Sequence, residues 1–186
     1  MIKISRYLLV LCILLCHPVS AGEIQSSSIS YQQGDYKLAI DVIVDAQFEA
    51  VYGIVTDYER LHRLSESFIE SALIETAEPD TKRRRLVLRS CILFFCFKLI
   101  IVEDIQEVGQ EVILMTMVPE QSDFKSGKTQ WHVTALADGR SRIQLYCDVT
   151  PGFWVPPLIG PILVKNKFLQ LAKESIRQIE LLANES

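Results

Sequence analysis

The chain has 186 residues, with 19 lysines and arginines against 23 aspartates and glutamates, a formal net charge of −4. Hydrophobic residues make up 49% of it, enough to build a sizeable core. The acidic balance argues against nucleic-acid binding, which needs positive charge to displace phosphate counterions.

The chain opens "MIKISRYLLVLCILLCHPVSAGE". Lys3 and Arg6 precede a short apolar run from Tyr7 to Cys16, and Val19-Ser20-Ala21 ends the segment with small or β-branched residues. This is the pattern of a cleaved export signal, with cleavage near Ala21. The run is about half the roughly 20 residues that span a bilayer, which disfavours a permanent anchor. A lipoprotein signal needs a small residue before its cysteine, and Leu15 precedes Cys16. Removing residues 1–21 leaves 165 residues with a net charge of −6. A periplasmic or secreted location is therefore expected, and with it an oxidising setting for Cys91, Cys96 and Cys147.

Residues 22–35 begin polar and serine-rich and read as a flexible leader. In "YKLAIDVIV", Leu38, Ile40, Val42 and Val44 share one face, with Lys37 and Asp41 on the other, which predicts a half-buried strand. "DAQFEAVYGIVTDYERLHRL" follows. Asp45 is placed to cap a helix on which Phe48, Val51, Tyr52 and Val55 recur at helical spacing. The segment "TDYERL" ends that helix and starts a second short one. From 70 to 149 the pattern is almost all strand, with turns expected at Glu78-Pro79-Asp80, Gly109-Gln110 and Asp138-Gly139.

Residues 83–108 are strand-formers almost throughout. A single strand of that length would reach roughly 86 Å, against a radius of gyration of about 15 Å for such a domain. The chain must turn back, yet no Gly, Pro, Asn or Asp marks a turn between Arg83 and Val102. If Ile92 to Phe95 form a four-residue loop, Cys91 and Cys96 face each other across a hairpin, within disulfide reach. A disulfide between them is the leading expectation. Pairing with Cys147 and free thiols are the alternatives. The tip either folds back onto the domain or touches a membrane or partner through Phe94 and Phe95.

"PGFWVPPLIGP" breaks the strand pattern with four prolines. A long amphipathic helix, roughly 158–183, ends the chain. Ile162, Leu169, Ala172, Ile176 and Ile179 are expected to face the sheet, and Lys173, Glu174, Arg177 and Glu180 to face water. Trp154 either plugs the end of the core or, with Phe153, forms an exposed lip that touches a membrane.

The segment "VIVDAQFEAVYGIVTDYERLHRLSESFIESALIE", residues 42–75, resembles the opening of the START-like (SRPBCC) superfamily, in its polyketide cyclase/dehydrase and coenzyme Q-binding branch. Asp45-Ala46, Val55, Asp57, Tyr58 and Leu61 match that pattern, and Gln47 stands where proline is usual. The resemblance covers nearly all of residues 36–184. It implies an α+β helix-grip fold: a curved antiparallel sheet of about seven strands around a long C-terminal helix, with two short helices after the first strand. It also implies an apolar cavity between sheet and helix. The wall of that cavity is expected at Met115, Met117, Trp131, Trp154, Phe168, Leu169, Ala172 and Ile176. Quinones, fatty acids and phospholipids are ligand classes that fit, and no cofactor is implied.

Catalytic signals are sparse. No nucleophile elbow, phosphate loop or Cys/His dyad is present. No metal is expected, because His62 and His132 have no zinc-like spacing to the cysteines. Strand parity turns His132 and Asp148 outward and puts Glu103 on the side of Leu99, Ile101 and Ile105, where a strand-end place in water is the leading expectation and the cavity the alternative. A binding or carrier protein for an apolar molecule is the leading reading. The alternatives are a cyclase or hydratase using Glu103 with Tyr146 or His62, and an interaction module without a ligand. The basic run Lys82-Arg83-Arg84-Arg85, with Arg89, is read as a solvated strand face, with anionic lipid headgroups as the other option.

Overall fold

The computed structural model describes residues 22–78, 81–92, 95–156 and 160–185. The expected export signal and Phe94 lie outside them. Eight strands form one antiparallel sheet: β1 (Glu23–Gln32), β2 (Asp35–Val44), β3 (Phe68–Ile74), β4 (Lys82–Ile92), β5 (Phe95–Val108), β6 (Val112–Met117), β7 (Phe124–Ala135) and β8 (Ser141–Pro151). Their order is β1-β2-β8-β7-β6-β5-β4-β3. Helix α1 (Phe48–Val55) and a 3₁₀ turn (Leu61–Leu64) follow β2, and helix α2 (Gly160–Asn184) closes the chain. The curved sheet around a long terminal helix is the helix-grip arrangement. Among the described residues no helix is long and apolar enough to cross a membrane.

The alternation in β2 becomes its burial. Leu38, Ile40, Val42 and Val44 are buried on the inner face, and Lys37 points out. Val51, Ile54 and Val55 of α1 and Ile176 and Ile179 of α2 meet them in one cluster. The β7–β8 turn uses Gly139 at φ +84°, a conformation that costs glycine little.

Several expectations need correction. The supposed flexible leader is β1, paired with β2 from Glu23↔Ile43 to Gln32↔Asp35. The sheet therefore has eight strands, because an edge strand needs only one neighbour's backbone and no apolar pattern of its own. The second short helix is a single 3₁₀ turn. Gln47, not Asp45, stands at the α1 N-cap, and no side chain caps that helix. The expected four-residue hairpin loop is shorter, because Ile92 pairs with Phe95. Cys91 and Cys96 are directly opposed and disulfide-bonded, with Cα atoms 4.0 Å apart. On α2, Ile162 is 61% exposed rather than inward, while Glu180 is 5% exposed rather than in water.

Candidate functional site

Two apolar clusters fill the space between sheet and helix. The larger joins β2, β6, β7 and β8 to α1 and the C-terminal half of α2. The smaller holds Tyr36, Met117, Phe124 and Val149, with Leu99, Ile101 and Val164 against it. Cys147 and Phe168 pack against both clusters. Each is only partly buried, as are Trp131, Leu145 and Ala172 nearby on the two layers. Side chains that point inward yet keep accessible surface mark a seam where sheet and helix do not close on each other. Protein surrounds Cys147 closely enough that burial, aided by the charges of Glu103 and Asp148, pushes its thiol up to about 11.

The structure brings most of the expected wall residues to this interior. Met115, Met117 and Ile176 are buried in the clusters, and Trp131, Phe168 and Ala172 lie partly buried against the larger one. Leu169 is half-buried on α2. Trp154 is not part of the wall. It is 79% exposed, so it does not plug the core. Its neighbour Phe153 packs on Phe124 and Phe97, with ring centroids 5.7 and 6.3 Å away.

Glu103 is not at a strand end in water: it lies inside, 6% exposed, and is paired with Arg84, itself 6% exposed. Arg84 Nη2 also reaches Met115 Sδ at 3.5 Å, and its guanidinium lies 6.0 Å from the centre of the Tyr58 ring. Arg84 Nε is buried without a hydrogen-bond partner among the described residues. The basic run is therefore not a free solvated face. Arg83 pairs with Asp104, Arg85 with Glu70 and Lys82 with Glu107. Glu107 also accepts a hydrogen bond from the Tyr58 hydroxyl at 3.1 Å. Burial works against the Glu107 charge, but the bonds from Lys82 and Tyr58 outweigh it and lower that carboxyl. Burial, then the Glu107 charge, raises the Tyr58 phenol.

The candidate catalytic groups are not brought together. Tyr146 is on the outer face of β8 and 48% exposed, and His62 is exposed on the 3₁₀ turn. His132 lies 3.4 Å from Glu111, and Asp148 lies 3.4 Å from Lys37, all away from the core. An open groove of about 530 Å³ lies on that outer face, lined by Ser28, Ser30, Lys37, Lys128, Tyr146 and Asp148 among others. Its lining mixes these polar groups with Leu38, Ala39, Leu114, Met115 and Cys147. Among the described residues, no cluster of three or more His, Cys, Asp or Glu could hold a metal ion.

The Asp-Tyr motif serves the scaffold. Asp57 binds Arg60 and Arg63 at 2.6 and 2.7 Å, and Val55, Tyr58 and Leu61 are buried in the core. Residues 36–179 match the family described as polyketide cyclase/dehydrase and lipid transport. No curated protein matches the sequence. Among solved structures, the Zhui aromatase/cyclase from Streptomyces sp. R1128 is similar at TM-score 0.63 and 12% identity, over 81% of this chain and 94% of that one. A START superfamily protein from Mycobacterium smegmatis has TM-score 0.62 and 18% identity, over 78% and 98%. A STAR-related lipid transfer protein from Xanthomonas axonopodis has TM-score 0.59 and 13% identity, over 85% and 99%. At these identities the likeness is one of fold.

Proposed function

The chain belongs to the polyketide cyclase/dehydrase and lipid transport family, and from that premise we propose that it carries or senses an apolar small molecule or lipid in the periplasm or outside the cell. The ligand sits between sheet and α2. The observation that carries this reading is the seam at Cys147 and Phe168, where apolar side chains of both layers point inward and stay partly accessible. The carboxylate nearby, Glu103, is held by Arg84, and Tyr146 and His62, the groups that the enzyme reading pairs with it, are exposed away from the interior. This favours binding over the cyclase or hydratase reading. Arg84 Nε offers a buried donor to a ligand that carries one acceptor on an apolar body. A transient contact with anionic membrane belongs to the same reading. Phe153, Trp154 and Ile162 are exposed, and the segments 89–98 and 151–168 carry Arg89, Lys98, Lys165 and Lys167 with no acid.

Native mass spectrometry of the exported protein, followed by lipid extraction, tests the proposal. A bound apolar molecule at one per chain is the expected result. A reproducibly empty protein that also binds no quinone, fatty acid or phospholipid in solution would overturn it.

A further inference from the structure

Two glutamates of this fold are buried to about the same degree, Glu103 at 6% and Glu180 at 5% exposure. Glu103 has its cation, Arg84. Glu180 has none: among the described residues no lysine, arginine or histidine forms an ion pair with it. A buried carboxylate without a positive partner is costly. Its hydrogen bonds come from two backbone nitrogens, Gly22 N at 2.6 Å to Oε2 and Asp45 N at 2.9 Å to Oε1. Asn184, one turn on, donates to the Asp45 and Glu180 carbonyls at 3.0 and 2.9 Å and ties the helix end to the same corner.

Gly22 follows Ala21, the residue after which the sequence pattern places the export cut. After that cut Gly22 N is no longer an amide. It is the α-ammonium of the mature chain, positively charged at neutral pH. We propose that removal of the signal supplies the missing cation, and that Glu180 is the built receptor for the new N-terminus. Processing thereby turns a bond from an uncharged amide to the carboxylate into a half-buried ion pair that latches β1 to α2. The corner also selects the residue. A Cβ on Gly22 would meet Ile176 Cγ2 at 3.0 Å, the Ile43 carbonyl oxygen at 3.1 Å and Val44 Cγ1 at 3.2 Å. Any residue with a Cβ would need that wall to give by a few tenths of an ångström. The inference rests on the export reading above and is independent of which ligand is carried.

The test has two parts that fail separately. N-terminal sequencing of the exported protein is expected to begin at Gly22. A start elsewhere removes the export-site reading and the latch with it. Thermal unfolding then compares the mature chain from Gly22 with the same chain preceded by Ser20-Ala21, each with Glu180 and with Glu180→Gln. The new positive charge adds Coulomb attraction to a bond that the carboxylate already strengthens, so the mature chain should melt about 2–4 °C higher. Glu180→Gln should abolish that gap. Equal melting of the two Glu180 chains would overturn the latch and leave export and ligand carriage standing. If Glu180→Gln does not fold, the α-amine itself reports. An amine-reactive reagent should label Gly22 of the folded mature chain at least tenfold more slowly than in urea. Equal rates would overturn the proposal.

Discussion

Removing one partner of the Arg84–Glu103 pair should be among the most damaging single changes in the sheet. Both side chains are almost fully enclosed, at 7% and 8% exposure, and their Cα atoms are cross-strand partners on β4 and β5. Arg84→Met keeps most of the apolar stem but leaves Glu103 charged with no partner. Glu103→Leu does the reverse to Arg84. Breaking a buried pair from one side costs about 3–5 kcal/mol, because the orphaned charge stays out of water. For a domain of this length that lowers Tm by roughly 6–20 °C. The double variant Arg84→Met/Glu103→Leu leaves no orphan and should be more stable than either single variant. Lys37→Ala is the control, since its 3.4 Å pair with Asp148 is exposed and such pairs contribute at most about 1 kcal/mol. Urea unfolding of the five chains, with m-values checked for constancy, supplies the measurement. Single variants costing under about 1 kcal/mol, or a double variant as damaged as the two singles added together, would refute the reasoning.

Peptide mapping without reduction should find Cys91 and Cys96 linked, and replacing both with serine should cost roughly 2 kcal/mol on the chain-entropy estimate for so short a loop. Two free thiols in the exported protein would contradict the hairpin bridge. The Cys147 thiol, raised to about 11 mainly by burial, should be alkylated faster by about tenfold per pH unit from 7.5 to 9.5 in the mature chain. A plateau inside that range means the thiol is not raised. Trp154, at 79% exposure, should be quenched readily by an aqueous quencher in the Trp131→Phe background and protected when anionic vesicles are added. Unchanged quenching with vesicles removes the membrane contact from the proposed function.

Much of the fold was legible because burial on one face leaves a period in the sequence. β2 shows it in Leu38, Ile40, Val42 and Val44, and β8 in Ile143, Cys147 and Val149. β1 was not legible. "EIQSSSISYQ" buries almost nothing, and its pairing with β2 is a backbone matter that leaves little mark on side-chain choice. The wall residues Met115, Met117, Phe168 and Ile176 could be assigned by face, but the seam between the clusters could not. It depends on how far α2 stands from the sheet, and no local pattern encodes that distance. Trp154 was ambiguous for a related reason. A tryptophan beside prolines can fill an end or stand on it, and only the folded chain shows Trp154 standing exposed while Phe153 leans on Phe97 and Phe124.

The buried charges mark the limit of pattern reading, and they differ in kind. Arg84 and Glu103 are 19 residues apart across one hairpin. Once Cys91 is set opposite Cys96, seven steps outward on each strand bring Arg84 opposite Glu103 and Arg83 opposite Glu103's neighbour Asp104. The pair could therefore have been found by counting from the disulfide, and assigning the basic run to solvent overlooked a register already in hand. Glu180 and Gly22 are 158 residues apart. Their meeting requires β1 on the outside of β2, the sheet curled around α2, and the helix end seated against the β2–α1 corner. No count along the chain reaches it, and helical periodicity sends Glu180 to water with Arg177. A charge that local pattern misplaces is thus informative about closure. Where the whole topology has to shut before its partner arrives, the partner can be a group that exists only after the chain has been cut.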